Sequence, residues 1–243
     1  MVRTVKHLTL IFLCLLCFTL GATQVHAQTT VIGDPNPELM KTLQKRYETL
    51  DGFRADFTQI LVNTSSGDTQ ERTGVIAFKK PDLIRWETVA PEKELLMVGQ
   101  DFVWDYYPEE GTLYKYDVEE LLNSKTMLRF ISGKASLEED FFVTQIADPE
   151  AQDLVKLDLV PKMPEPGLVQ AFVWVEPKEA LFKKITLLDF YGNENTVIFD
   201  KLELDPTFKK DEFQFTPPPD AEVFDNTGAP QGAPLPQETP LTQ

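Results

Sequence analysis

The chain has 243 residues with 39 acidic and 23 basic side chains, a net charge of −16 that excludes nucleic acid as a partner and opposes anionic lipid surfaces. Its two cysteines and two histidines (Cys14, Cys17, His7, His26) all fall in the first 27 residues. With that segment cleaved, disulfides, thiolate and histidine catalysis and most zinc sites are excluded, leaving carboxylates, Lys, Tyr and Ser for chemistry.

Residues 1–27 have the pattern of a secretory signal peptide. Arg3 and Lys6 supply the positive start, Leu8 to Leu20 a short apolar run, and Val25-His26-Ala27 the small residues before a cut at Gln28. The run is too short to span a membrane comfortably, and no other stretch is apolar enough. Neither cysteine sits in a lipoprotein-type cleavage motif, so no lipid anchor and no stable membrane insertion are expected. Cleavage leaves about 216 residues, enough for one domain with a tail, and a net charge of about −18.

Thr29 to Pro35 reads as a short polar lead. Asn36-Pro37-Glu38 then opens a helix, with Asn as cap, Pro in the first turn and an acidic residue beside it. Leu39, Leu43, Tyr47 and Leu50 recur on one face of that helix, which ends near Asp51-Gly52. Strands follow: Gly52 to Gln59, a turn at Asn63 to Asp68, a return through Glu71 to Lys80, then an aromatic meander from Gly74 to Tyr107 punctuated at Lys80-Pro81-Asp82, Ala90-Pro91 and Gly99-Gln100. Side chains alternate across a strand, so Ile76, Phe78 and Lys80 share a face, as do Ile84 with Trp86, and Phe102 with Trp104 and Tyr106.

Val118 to Leu122 and Thr126 to Ile131 carry helical spacing, and Ser136-Leu137-Glu138-Glu139 is a capping box that opens a third short helix. A helical insertion between two sets of strands packs most naturally on the open side of a curved sheet. A second set of strands covers Leu154 to Leu159, Val169 to Val175, Phe182 to Phe190 and Thr196 to Leu204. This predicts a mainly β (α+β) domain over residues 28–216: an unclosed, strongly curved antiparallel sheet of about 11 strands with a helical lid over a hydrophobic cavity. Residues 217–243, rich in Pro, Gly, Gln and Thr, read as a disordered tail.

The candidate site is apolar. Phe57, Ile76, Phe78, Ile84, Trp86, Phe102, Trp104 and Tyr106 are expected to line one cavity, with Leu39, Leu43, Tyr47, Leu128, Phe130 and Ile131 as the lid. The same residues also suit an ordinary filled core, since aromatics commonly fill the interior of β-proteins. Lys80 on the face of Ile76 and Phe78 is costly to bury alone, so it is expected at the rim, bonding carbonyls at a helix end of the lid, or else as a solvated strand end. Asp101, Asp105 and Glu139 are carboxylates without the paired spacing of a glycosidase, so no catalytic residue, metal or cofactor is expected.

Phe53-x-Ala55-x-Phe57-x-Gln59, the returning strand with Gly74, Lys80-Pro81, Arg85-Trp86, Pro91, Trp104 with Tyr106, Gly133 before Phe141-x-Val143, and Phe213-x-Phe215-x-Pro217-Pro218 resemble, in this order, the LolA family of periplasmic outer-membrane lipoprotein carriers. The resemblance covers Pro37 to about Pro218. It implies a periplasmic monomer whose cavity takes the acyl chains of lipoproteins from a releasing transporter in the inner membrane and passes them to an outer-membrane receptor. It also implies that Lys80 stands where the family usually has an arginine that bonds the lid. A related periplasmic domain that binds or senses a different lipid is the other reading.

Overall fold

The computed structural model describes residues 30–118, 126–151, 153–163 and 167–228. The expected signal peptide, the expected helical turn past Val118 and the last fifteen residues lie outside these. Asn36 caps the first helix, α1 (Pro37–Thr49), its Oδ1 accepting from the N–H of Glu38 at 2.9 Å and of Leu39 at 3.3 Å. Pro37 has no N–H to leave unsatisfied in that first turn. Met40 and Leu43 are buried on the inner face of α1, each worth about 1.5–3 kcal/mol relative to exposure.

Among the described residues thirteen strands form one unclosed sheet: β1 (Val31–Gly33), β2 (Gly52–Val62), β3 (Thr69–Lys79), β4 (Leu83–Ala90), β5 (Glu94–Val98), β6 (Phe102–Tyr107), β7 (Thr112–Asp117), β8 (Phe141–Ile146), β9 (Val155–Pro161), β10 (Gln170–Glu176), β11 (Leu181–Leu188), β12 (Glu194–Leu204) and β13 (Glu222–Asp225). Their order is β1-β8-β9-β10-β11-β12-β2-β3-β4-β5-β6-β7-β13. Two meanders, β2 to β7 and β8 to β12, are joined where β12 pairs with β2, from Glu194 opposite Val62 to Leu204 opposite Phe53. Short helices α2 (Thr126–Ile131) and α3 (Leu137–Asp140) connect the meanders across the concave face. Met127, Leu128, Phe130, Ile131 and Leu137 share one buried cluster there with α1 and the inward side chains of the sheet.

The two strands beyond the expected eleven sit at the edges. β1 lies in the stretch read as a polar lead and pairs with the end of β8. β13 corrects the expectation of a disordered tail from residue 217: Glu222–Asp225 runs parallel to β7, with Glu222 opposite Thr112 and Asp225 opposite Lys115. All four of its side chains are exposed, so backbone pairing rather than an apolar pattern places it, and sequence periodicity carries no mark of that.

Candidate functional site

Register decides which side chains face the helices. Phe53, Ala55 and Phe57 of β2 lie opposite Phe78, Ile76 and Gly74 of β3, and Ile76 and Phe78 lie opposite Trp86 and Ile84 of β4. Trp86 is next to Leu96 and Ile84 next to Val98 on β5. All but Gly74 belong to the buried cluster that also contains Leu43, Leu128, Phe130 and Ile131, with Leu39 and Tyr47 packed against it. Five of the eight expected wall residues (Phe57, Ile76, Phe78, Ile84, Trp86) therefore meet the six expected lid residues.

Phe102, Trp104 and Tyr106 do not. Val98 is paired directly with Val103 on β6, which puts Val103 inside and its neighbours Phe102 and Trp104 on the opposite, convex face. Val103 is fully buried, whereas Phe102 is 37% exposed. The expectation that these three aromatics line the concave volume is thus corrected by one register step, since side chains alternate with period two. Trp104 and Tyr106 instead pack against Phe215, ring centroids 6.0 and 5.8 Å apart. The inward residues missed on this strand are Val103 and Asp105. Carrying the face of Trp86 through its partner Leu96, which lies opposite Asp105, is the signal that finds them.

The lid is pinned at its ends. Lys80 Nζ donates to the carbonyl oxygen of Glu48 at 2.5 Å, one of the last-turn carbonyls of α1 that have no partner within the helix. A cation at a helix C-terminus also complements the helix dipole. Two residues on, Asp82 takes Lys134 Nζ at 2.7 Å, which holds the α2–α3 connection to the same β3–β4 turn. Sequence reading anticipated the Lys80 contact and missed the Lys134–Asp82 pair, since nothing in the spacing of residues 82 and 134 links them. On the other side of α1, Arg46 Nε donates to the Glu179 carbonyl at 3.0 Å, and the Phe182 N–H donates to Tyr47 Oη at 3.1 Å. The Tyr47 ring stacks on Phe182 at 4.7 Å, and burial raises its hydroxyl pKa well above the usual tyrosine range. Gly133 closes α2 with φ of +70°, and a Cβ there would come within 3.1 Å of Tyr47 Cβ, so the two lid pieces meet at a glycine that has both conformational and steric reasons to be one.

With the helices in place the concave face is filled. Among the described residues the crevices left there are small, about 10 Å³ each, one between Tyr47, Phe53, Phe182 and Phe199 and another between Leu43, Tyr47, Phe130 and Leu137. Both fall below the usual range of ligand pockets, about 300–1,000 Å³. Among the described residues no helix is long and apolar enough to cross a membrane. Asp105, one of the carboxylates weighed for catalysis, is buried on the concave face beside Tyr116. Burial, first, and then the Asp105 charge push the Tyr116 hydroxyl pKa above the usual range.

Residues 48–216, more than half of the chain, match the family described as outer membrane lipoprotein carrier protein LolA. The outer-membrane lipoprotein carrier protein of Dechloromonas aromatica (strain RCB) is 25% identical over 171 residues, covering 70% of this chain and 80% of that protein. That of Pseudomonas putida is 24% identical over 208 residues, covering 85% and 93%. The crystal structure of an uncharacterized conserved protein from Thermus thermophilus is similar with a TM-score of 0.49 at 12% identity, covering 77% of this chain and 97% of that one. The chain belongs to the LolA family of outer-membrane lipoprotein carrier proteins.

Proposed function

We propose that this chain is a periplasmic carrier that takes up the acyl chains of lipoproteins released from the inner membrane and delivers them to an outer-membrane receptor. The observation that supports this best is the double grip of one turn on the lid: Lys80 on α1 through Glu48, and Asp82 on the α2–α3 connection through Lys134. The lid occupies the wall that acyl chains would need, so ligand and lid compete for the same apolar surface. Each buried CH₂ is worth about 0.8 kcal/mol against water, so long chains do not cross an aqueous space unshielded. Against a membrane an apolar wall gains almost nothing, and loading then depends on an energy source outside this chain. Lid closure is what favours release at the acceptor.

The hydrogen bond from charged Lys80 is worth about 1.5 kcal/mol at its partly exposed position, which shifts a closed–open equilibrium roughly tenfold. Lys80→Leu is expected to load lipoprotein as well as the parent or better and to pass it to an acceptor more slowly, while Lys80→Arg keeps or tightens closure. The measurement is loading of an acylated lipoprotein followed by its transfer to acceptor-containing vesicles, with Asp82→Asn run beside it. Parent-like loading and transfer in both Lys80→Leu and Asp82→Asn would sink the latch, and failure of the parent to bind acylated protein would sink the carrier.

A further inference from the structure

Read in layers, the concave face of β2 to β6 is not uniformly apolar. Its first layer is Phe53, Phe78, Ile84, Val98 and Val103, and the next is Ala55, Ile76, Trp86, Leu96 and Asp105. The third holds Phe57, Gly74, Thr88 and Glu94, and the fourth Gln59 and Arg72. Successive layers are two residues apart, so polarity rises over about 20 Å along the strands. The Phe57 and Trp86 rings, with centroids 4.9 Å apart, mark the boundary.

The polar layers are withdrawn from water. Arg72 Nη1 lies 2.9 Å from Glu94 Oε2, and the two side chains are only 12% and 13% exposed. Thr88 and Gln59 are buried, and Gln59 Nε2 donates to Asn195 Oδ1 at 3.0 Å. A desolvated ion pair is weak support for stability, since well-packed apolar residues of similar volume commonly do as well or better. A wall that served hydrocarbon alone would gain more from apolar residues here. The pair is neutral in sum and offers both a forked donor and a carboxylate acceptor. That combination suits groups presenting a carbonyl beside an N–H, and it does not suit an anionic headgroup.

We propose that Gln59, Arg72, Thr88 and Glu94 form the subsite for the ester- and amide-bearing part of the cargo, where the acyl chains join the polypeptide. This rests on the carrier reading above. Arg72 is positioned to donate to ester or peptide carbonyls and Glu94 to accept a peptide N–H, so the pair discriminates an acylated polypeptide from a bare hydrocarbon.

The test uses the double variant Arg72→Met/Glu94→Leu, which removes both charges of the pair together, and two probes: a synthetic diacylated-cysteine hexapeptide and N-phenyl-1-naphthylamine as an apolar reporter. The expected result is a loss of about tenfold or more in peptide affinity, as for hydrogen bonds to charged groups, with reporter affinity unchanged within about twofold. Arg72→Lys keeps the charge and loses the fork, so it serves if the double variant does not fold. It is expected to weaken the peptide about threefold and leave the reporter unmoved. Equal losses for both probes, or an unchanged peptide affinity, would overturn the subsite while leaving the carrier standing. A parent protein that binds neither probe would overturn both.

Discussion

On the convex face of β2 to β7, Ala77, Met97 and Leu113 are 2%, 1% and 0% exposed, whereas on the convex face of β8 and β9 Phe142 is 64% and Val160 43% exposed. The two halves come from similar alternating strands and differ in what the chain does afterwards. Past β12 it turns at Asp205, whose φ is +48° and whose Oδ1 accepts from the N–H groups of Asp51 and Gly52. It then crosses the first half. Phe208 sits against Gly52, under Arg54 and Lys79, and packs edge-on against Phe213. Arg54 pairs with Glu212, Phe215 covers Trp104 and Tyr106, and β13 closes the edge.

Among the described residues no such segment is seen on the second half. Its rings have lysines alone over them, Lys156 over Phe172 and Trp174, Lys184 over Trp174, and Lys162 over Phe142, whereas on the first half Lys115 over Phe102 adds to the strap. Lysine stems cover apolar surface while their heads stay in water, and a cation over a ring adds a modest attraction. An aromatic row in a strand therefore does not say which face of the sheet is the interior; it says that something must cover it.

Truncation separates the two halves most visibly. Ending the chain after Leu204 removes the strap from the first half only and is expected to cost more than about 4 kcal/mol, beyond ordinary point substitutions. Ending it after Gly228 should leave thermal stability nearly unchanged. Equal melting temperatures for the two truncations would show that the strap merely lies on the surface.

Two single substitutions separate the halves on a smaller scale. Phe215→Ala removes a partly buried ring from between Trp104 and Tyr106 and should cost about 2 kcal/mol, at or below the low end for core aromatics because the ring is only partly covered. Phe142→Ala on the bare half should stay within about 0.5 kcal/mol. Denaturant midpoints measure both, and the reverse order would invert the reading of the two faces.

The smallest effect concerns the end of the strap. Hydrogen bonds from the Thr227 hydroxyl and N–H, and then from Lys115, hold the Asp225 pKa at about 2 against an ordinary 3.8. The folded value is the lower one, so this contribution is present above 3.8 and is lost as pH falls through 2. The protection of the Asn226 amide, whose N–H donates to the Lys115 carbonyl at 2.9 Å, measured relative to intrinsic exchange at each pH, should therefore fall between about pH 4 and 2, with Asp225→Asn showing no such step. A protection factor in the parent that does not change over this range would remove Asp225 as the anchor.

Much of this was legible in the chain. The Asn36-Pro37 cap, the turn residues and the alternation of Phe53, Phe57, Ile76, Phe78, Ile84 and Trp86 determined the first helix, the strands and one face of the sheet. Those are local signals, fixed by sterics and by period-two geometry. Lys80 could be placed at the lid because a lysine on an apolar strand face has few other places to go.

Tertiary structure alone decided the rest. The face of Phe102, Trp104 and Tyr106 hangs on one register step at the β5–β6 turn, and large apolar side chains satisfy either face so long as a cover arrives. That cover is Phe215, more than a hundred residues later. β1 and β13 exist only because an edge strand offered them backbone partners, and the Lys134–Asp82 and Arg72–Glu94 pairs exist only because folding brings distant charges together. Alternation determines that a strand has two faces; packing against what comes later in the chain decides which one is inside.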